Sequence, residues 1–100
     1  MAAAVMQFQL REYRIEDGRL EDFVQEWREL VLPLRLSMGF SVFGPWVEEE
    51  EGSRFVCVVG YDGDIRAADE AYSSSPERHS MEPDPARLVA DIRQVWLEAP

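Results

Sequence analysis

Arg54-Phe55-Val56-Cys57-Val58-Val59-Gly60-Tyr61 is apolar at nearly every position and runs straight into Asp62-Gly63-Asp64, after which Ile65, Ala68, Ala71 and Tyr72 recur at steps of three and four. The first stretch has the length and content of a central strand, the turn residues stop it, and the new period starts a helix ending in Ser73-Ser74-Ser75. The same succession occurs earlier in the chain. Val5 to Ile15 alternates, with Phe8 and Leu10 on one face and Gln7, Gln9, Arg11 and Tyr13 on the other; at Asp17-Gly18 it gives way to Leu20, Phe23, Val24, Trp27, Leu30, Val31 and Leu34 at helical spacing. Asp17 or Gly18 is the expected cap of that helix, and Pro33 is expected to disturb it.

Between these units, Phe40 to Val47 reads as a further strand, joined to the Arg54 strand by a charged turn at Glu48 to Glu51 with Gly52-Ser53. Pro45 cannot donate to a ladder, so that strand belongs at a sheet edge, with Gly44-Pro45 marking a bulge. Pro76-Glu77-Arg78-His79 forms a short helical turn with Ser75 as cap. After Pro83 and Pro85 a last strand runs roughly from Leu88 to Glu98, with a partly helical first turn as the alternative. The order is β-α-β-β-α-β, which predicts an α+β ferredoxin-like sandwich with antiparallel strand order 4-1-3-2 and both helices on one face. Residues 1–4 are expected to be a disordered segment and residues 5–100 a single domain.

Two helices cover one face of a four-stranded sheet, yet these strands are apolar on both. Phe55, Cys57, Val59 and Tyr61 oppose Val56 and Val58, and Phe43 and Val47 oppose Phe40, Val42 and Trp46. The uncovered face predicts a homodimer with its sheets face to face, closing an α/β barrel.

The chain has 100 residues, 46% hydrophobic and 30% charged, and its 10 basic and 20 acidic side chains give a net charge of −10. It contains no Lys, no Asn and no Thr, with Cys57 and His79 the sole cysteine and histidine. These absences remove a Schiff-base lysine, a phosphate loop of the GxxxxGK[ST] type, N-glycosylation and an internal disulfide. No metal-ligand spacing is present. The acidic balance and scattered arginines argue against nucleic-acid binding, and the opening residues are neither a signal peptide nor a membrane span. A reducing, cytoplasmic setting is expected.

Leu10-Arg11-Glu12-Tyr13-Arg14-Ile15, then Gly18-Arg19-Leu20-Glu21-Asp22-Phe23, Trp27, Gly39-Phe40, Trp46, Tyr61-Asp62, Ala71-Tyr72 and Ser75-Pro76-Glu77-Arg78 together resemble the NIPSNAP family of the dimeric α/β-barrel superfamily. The resemblance spans nearly the whole chain. It implies the fold and dimer reached above. The wider superfamily holds cofactor-free monooxygenases of aromatic natural products, haem-degrading enzymes and isomerases, and no family catalytic motif transfers onto these residues.

The cavity expected between sheet and helices directs attention to a few side chains. His79 is the candidate general base, being the one group that titrates near neutrality; a solvated histidine at a helix end is the alternative. Tyr72 and Tyr13 are candidate catalytic hydroxyls. Trp27, Trp46, Arg66 and Arg78 are candidate ligand contacts, against which stand core packing for Trp27, a dimer interface for Trp46 and ion pairs with Asp62, Asp69 or Glu77 for the arginines. Cys57, on an apolar strand, is expected to be inert. The function expected is a cofactor-free enzyme acting on a small apolar or aromatic molecule by oxygenation, isomerisation or cyclisation. The alternatives are a non-catalytic small-molecule-binding or protein-interaction module, and haem binding through His79.

Overall fold

The computed structural model describes residues 5–48 and 53–100. The expected disordered segment 1–4 and most of the charged turn, residues 49–52, lie outside the described residues. The strands are β1 (Met6–Ile15), β2 (Ser41–Glu48), β3 (Arg54–Asp62) and β4 (Val89–Leu97). They form one antiparallel sheet ordered β2-β3-β1-β4, the expected 4-1-3-2 viewed from the other edge. Between β1 and β2 a single helical rod comprises α1 (Leu20–Glu26), a π-helical turn (Trp27–Val31) and α2 (Leu32–Ser37); α3 (Ile65–Ser73), α4 (Pro76–His79) and a 3₁₀ turn (Pro85–Leu88) lie between β3 and β4. The fold is the expected ferredoxin-like α+β sandwich. Among the described residues no helix is long and apolar enough to cross a membrane.

The repeated Asp-Gly motif does the same job twice. Gly18 and Gly63 both take positive φ, 74° and 123°, which favours glycine, and the residue after each becomes the N-cap. At α3 that residue is Asp64, whose Oδ1 accepts from the Ala67 N–H at 3.1 Å. At α1 it is Arg19, which makes no capping bond, so neither Asp17 nor Gly18 is the cap. Gly18 instead closes a turn in which the Arg19 N–H donates to the Glu16 carbonyl, and the helix begins one residue late. Ser75 caps α4 as expected, accepting from Arg78 N–H. The last strand starts at Val89 because the 3₁₀ turn occupies Pro85–Leu88, in keeping with the helical alternative.

Pro33 does not end the first helix. The Leu32 N–H bonds to the Trp27 carbonyl, five residues back, so the turn before the proline is widened and α2 continues through it. The rod closes in a Schellman motif, with the Phe40 N–H on the Arg35 carbonyl, the Gly39 N–H on Leu36, and Gly39 at φ 93°.

Gly44-Pro45 is a bulge on an edge strand, as expected, and it corrects one expectation. Phe43 pairs with Val58 and Trp46 with Val56, so the extra residue places Phe43 and Trp46 on the same open face and Val42 and Val47 on the other. Beneath the helices Phe55, fully buried, contacts the Tyr13, Phe23 and Trp27 rings at centroid distances of 5.8, 5.0 and 5.1 Å. This aromatic cluster is the main core and one wall of the site.

Candidate functional site

The face of β1 covered by the helices is its polar one. Gln7, Gln9, Arg11 and Tyr13 register against Tyr61, Val59, Cys57 and Phe55 of β3. A polar group taken out of water is costly unless it is bonded, and all four are tied to a named partner. Gln7 Oε1 accepts from the Ile65 N–H at 3.0 Å, satisfying a free donor in the first turn of α3. Gln9 Oε1 accepts from Arg11 Nη1 at 2.6 Å, and Arg11 Nε donates to the Tyr13 hydroxyl at 2.5 Å. Gln9 Nε2 is buried without a partner among the described residues.

Above this row lies a cavity of about 410 Å³, bounded by Arg11 and Tyr13 from the sheet, Phe23, Trp27, Val31 and Arg35 from the helical rod, Tyr72 and Arg78 from α3 and α4, and the start of β4. Its outer rim carries the exposed Asp91 and Ile92. Arg35 is held on three sides. Its Nη1 donates to Asp69 Oδ1 at 2.8 Å, and its guanidinium carbon lies 3.7 Å from the Tyr72 ring centre and 4.6 Å from that of Phe40. The Schellman bond from Phe40 fixes the backbone at the same residue.

Burial raises the pKa of Tyr13 and of Tyr72, outweighing the opposing influence of Arg11 on the first and Arg35 on the second. Both are therefore neutral phenols at physiological pH. For Arg11, burial disfavours the charge, yet its contacts with Tyr13 and Asp69 outweigh burial and hold its pKa above the ordinary value. Burial pushes the Cys57 thiol from 9.0 up to about 11, which suits an inert side chain.

Of the candidate residues, Tyr13, Tyr72, Trp27 and Arg78 meet at the cavity wall. The other three lie elsewhere. His79 is exposed at the end of α4 and lines no part of the cavity. Trp46, 56% exposed, stands on the open face of the sheet. Arg66 lies over the Trp96 ring at 4.6 Å. The expected ion partners are also replaced: Arg78 pairs with Asp84 at 3.1 Å, not Glu77, and Asp69 takes Arg35. Sequence reasoning missed Arg11, Arg35, Asp69 and Gln9. Among the described residues no cluster of three or more His, Cys, Asp or Glu side chains is placed to hold a metal ion.

No protein-family model matches the chain, and no curated protein matches it. Solved structures do. An uncharacterized NIPSNAP domain protein from Burkholderia xenovorans superposes with a TM-score of 0.79 at 18% identity, covering 94% of each chain. A NIPSNAP family protein from Agrobacterium tumefaciens gives 0.80 at 17% identity, over 95% of this chain and 93% of that one. An antibiotic biosynthesis monooxygenase gives 0.72 at 18% identity, over 94% and 98%. The resemblance read from the sequence is thus matched in three dimensions, and the chain has the ferredoxin-like fold shared by NIPSNAP proteins and antibiotic biosynthesis monooxygenases.

Proposed function

We propose that this is a NIPSNAP-type enzyme that works without a resident cofactor on a small apolar or aromatic molecule, as one half of a two-fold pair. The observation that carries the reading is the Arg11–Tyr13 hydrogen bond at the wall of an aromatic cavity. By accepting from Arg11, the Tyr13 hydroxyl keeps its own proton free to donate. A buried phenol in that state hydrogen-bonds a substrate oxygen and supports the charge that gathers there when an enol or phenol ionises. Arg11 stabilises the negative charge that reaches Tyr13 if the proton transfers. Isomerisation, cyclisation and oxygenation of an enolisable molecule all pass through such an oxyanion.

The test is hydrogen–deuterium exchange at the α-carbon of 1-tetralone and 2-tetralone in D₂O, followed by proton NMR. With Tyr13 donating to the ketone oxygen and buffer base, entering at the exposed rim, taking the α-proton, exchange above the buffer rate is expected, falling about 100-fold in Tyr13→Phe with the fold retained. A non-catalytic binding module is favoured by one specific observation, that His79 stands outside the cavity. Binding of the ketones without accelerated exchange would establish that second reading, and neither binding nor exchange would remove both.

The pairing is supported by the open face of the sheet, where Phe8, Leu10, Val56 and Val58 are flanked by Phe43, Trp46 and Leu97, exposed by 47, 56 and 39%. Gly60 lets Phe8 lie across β3 toward Phe43, with ring centres 6.2 Å apart; a Cβ there would meet the Phe8 ring at 3.0 Å. Apolar area of this kind is stabilised by a second copy. Light scattering at micromolar protein should give twice the 11.5 kDa chain mass. A particle of single-chain mass would end the barrel. The lone buried thiol of Cys57 supports a reducing, cytoplasmic setting.

A further inference from the structure

The charge at the cavity does not balance where it is buried. The side chains of Arg35, Arg11 and Asp69 are 3, 12 and 15% exposed, and one oxygen, Asp69 Oδ1, faces both cations, at 2.8 Å from Arg35 Nη1 and 3.8 Å from Arg11 Nη1. No other carboxylate pairs with either arginine among the described residues, and Arg78 is already taken by Asp84. One positive charge is left over in a chain whose net charge is −10. A buried cation without its counter-charge is strongly disfavoured, so a surplus of this kind calls for an anion.

Unused donors accompany the surplus. Arg11 engages Tyr13 through Nε and Gln9 through Nη1, and Arg35 engages Asp69 through Nη1. The Nη2 of each, and Nε of Arg35, take no part in these bonds. Gln9 Nε2, on the fully buried side chain bonded to Arg11, is a further donor without an acceptor. The Arg35 guanidinium lies against the Tyr72 and Phe40 rings, which stand at 80° to each other, and a planar fork fixed in this way matches a planar acid.

We infer that the ligand of this cavity is an aromatic or conjugated carboxylate, its acid group held by Arg11 and Arg35 and its ring among Tyr13, Phe23, Trp27 and Tyr72. The inference rests on the reading of the cavity as a small-molecule site. A single surplus charge suits a monoanion better than a phosphate ester. Asp69 acts as a positioning residue that aligns Arg35 and offsets half of the buried charge.

Isothermal titration of the full chain with 1-naphthoate, its neutral isostere 1-naphthamide and 1-naphthyl phosphate tests this. The acid should bind at least tenfold more tightly than the amide and more tightly than the phosphate. Arg35→Gln should abolish the preference for acid over amide. Asp69→Asn, which keeps both cations, should strengthen naphthoate binding threefold or more and leave naphthamide unchanged. That second variant decides the matter if Arg35→Gln does not fold. Equal binding of acid and amide, or preference for the phosphate, overturns the carboxylate while leaving the small-molecule site intact. Binding of none of the three removes the site itself.

Discussion

The two faces of the one sheet are finished in opposite ways. Under the helices, where a core is ordinarily apolar, β1 presents Gln7, Gln9, Arg11 and Tyr13; on the face without helices it presents Phe8 and Leu10. The difference teaches where each kind of work is done. Polar groups are kept beneath a cover only when bonded, and here they cap α3, hold one another and face the cavity. Apolar groups without cover contribute little to one chain alone and gain by meeting a second copy.

Substitutions on the two faces should separate these roles. The largest effect is expected from Phe55→Ala on the covered face, where a fully buried ring touches three others: about 3–5 kcal/mol, read by urea unfolding and independent of protein concentration. Next is alkaline pH. The Cys57 thiol ionises near 9.0 when unfolded and near 11 in the fold, so the unfolded chain loses its proton first and stability falls as pH rises through that window. The loss is of the order of 2 kcal/mol, with Tyr13 and Tyr72 adding in the same direction; Cys57→Ala should flatten the slope of the urea midpoint between pH 9 and 11. Gly39→Ala comes third. A Cβ there meets only Tyr61 Cε1 at an ordinary 3.5 Å, so the positive φ alone should cost about 1–2 kcal/mol. The smallest effect is Phe43→Ala on the open face, about 0.5 kcal/mol or less in dilute solution. It should grow with protein concentration as the pair forms, and a thermal shift indifferent to concentration would break the comparison.

The fold was legible because its signals were redundant: the Asp-Gly echo, the change of period after Tyr61 and the edge proline agree on one topology. The site was legible only in part. Alternation along β1 says which residues share a face, but not which face the helices cover, so nothing in it marks Gln9 and Arg11 as neighbours of the cavity. His79 drew attention through composition, which carries no position. Arg35 was hidden because the apolar stripe in regular helical steps leads to Leu34. The signal that could have revealed it was Pro33, since a proline inside a helix often accompanies a widened turn.

That turn has a consequence for ligand choice. An α-helix rotates by about 100° per residue, so seven residues make two turns to within about 20°, whereas eight do not. Trp27 and Arg35 are eight positions apart, and the wide turn absorbs the additional one, so both reach the same cavity. Drawn as an unbroken α-helix of equal length, the rod would swing the guanidinium aside and bring the Leu34 side chain inward, leaving Arg11 balanced by Asp69 and no surplus charge at the cavity. Removing one residue between Arg28 and Leu30 would instead restore regular winding with both ends still in phase. Whether this pocket selects acids or hydrocarbons is thus written in the residue count of a helix as much as in the side chains it bears.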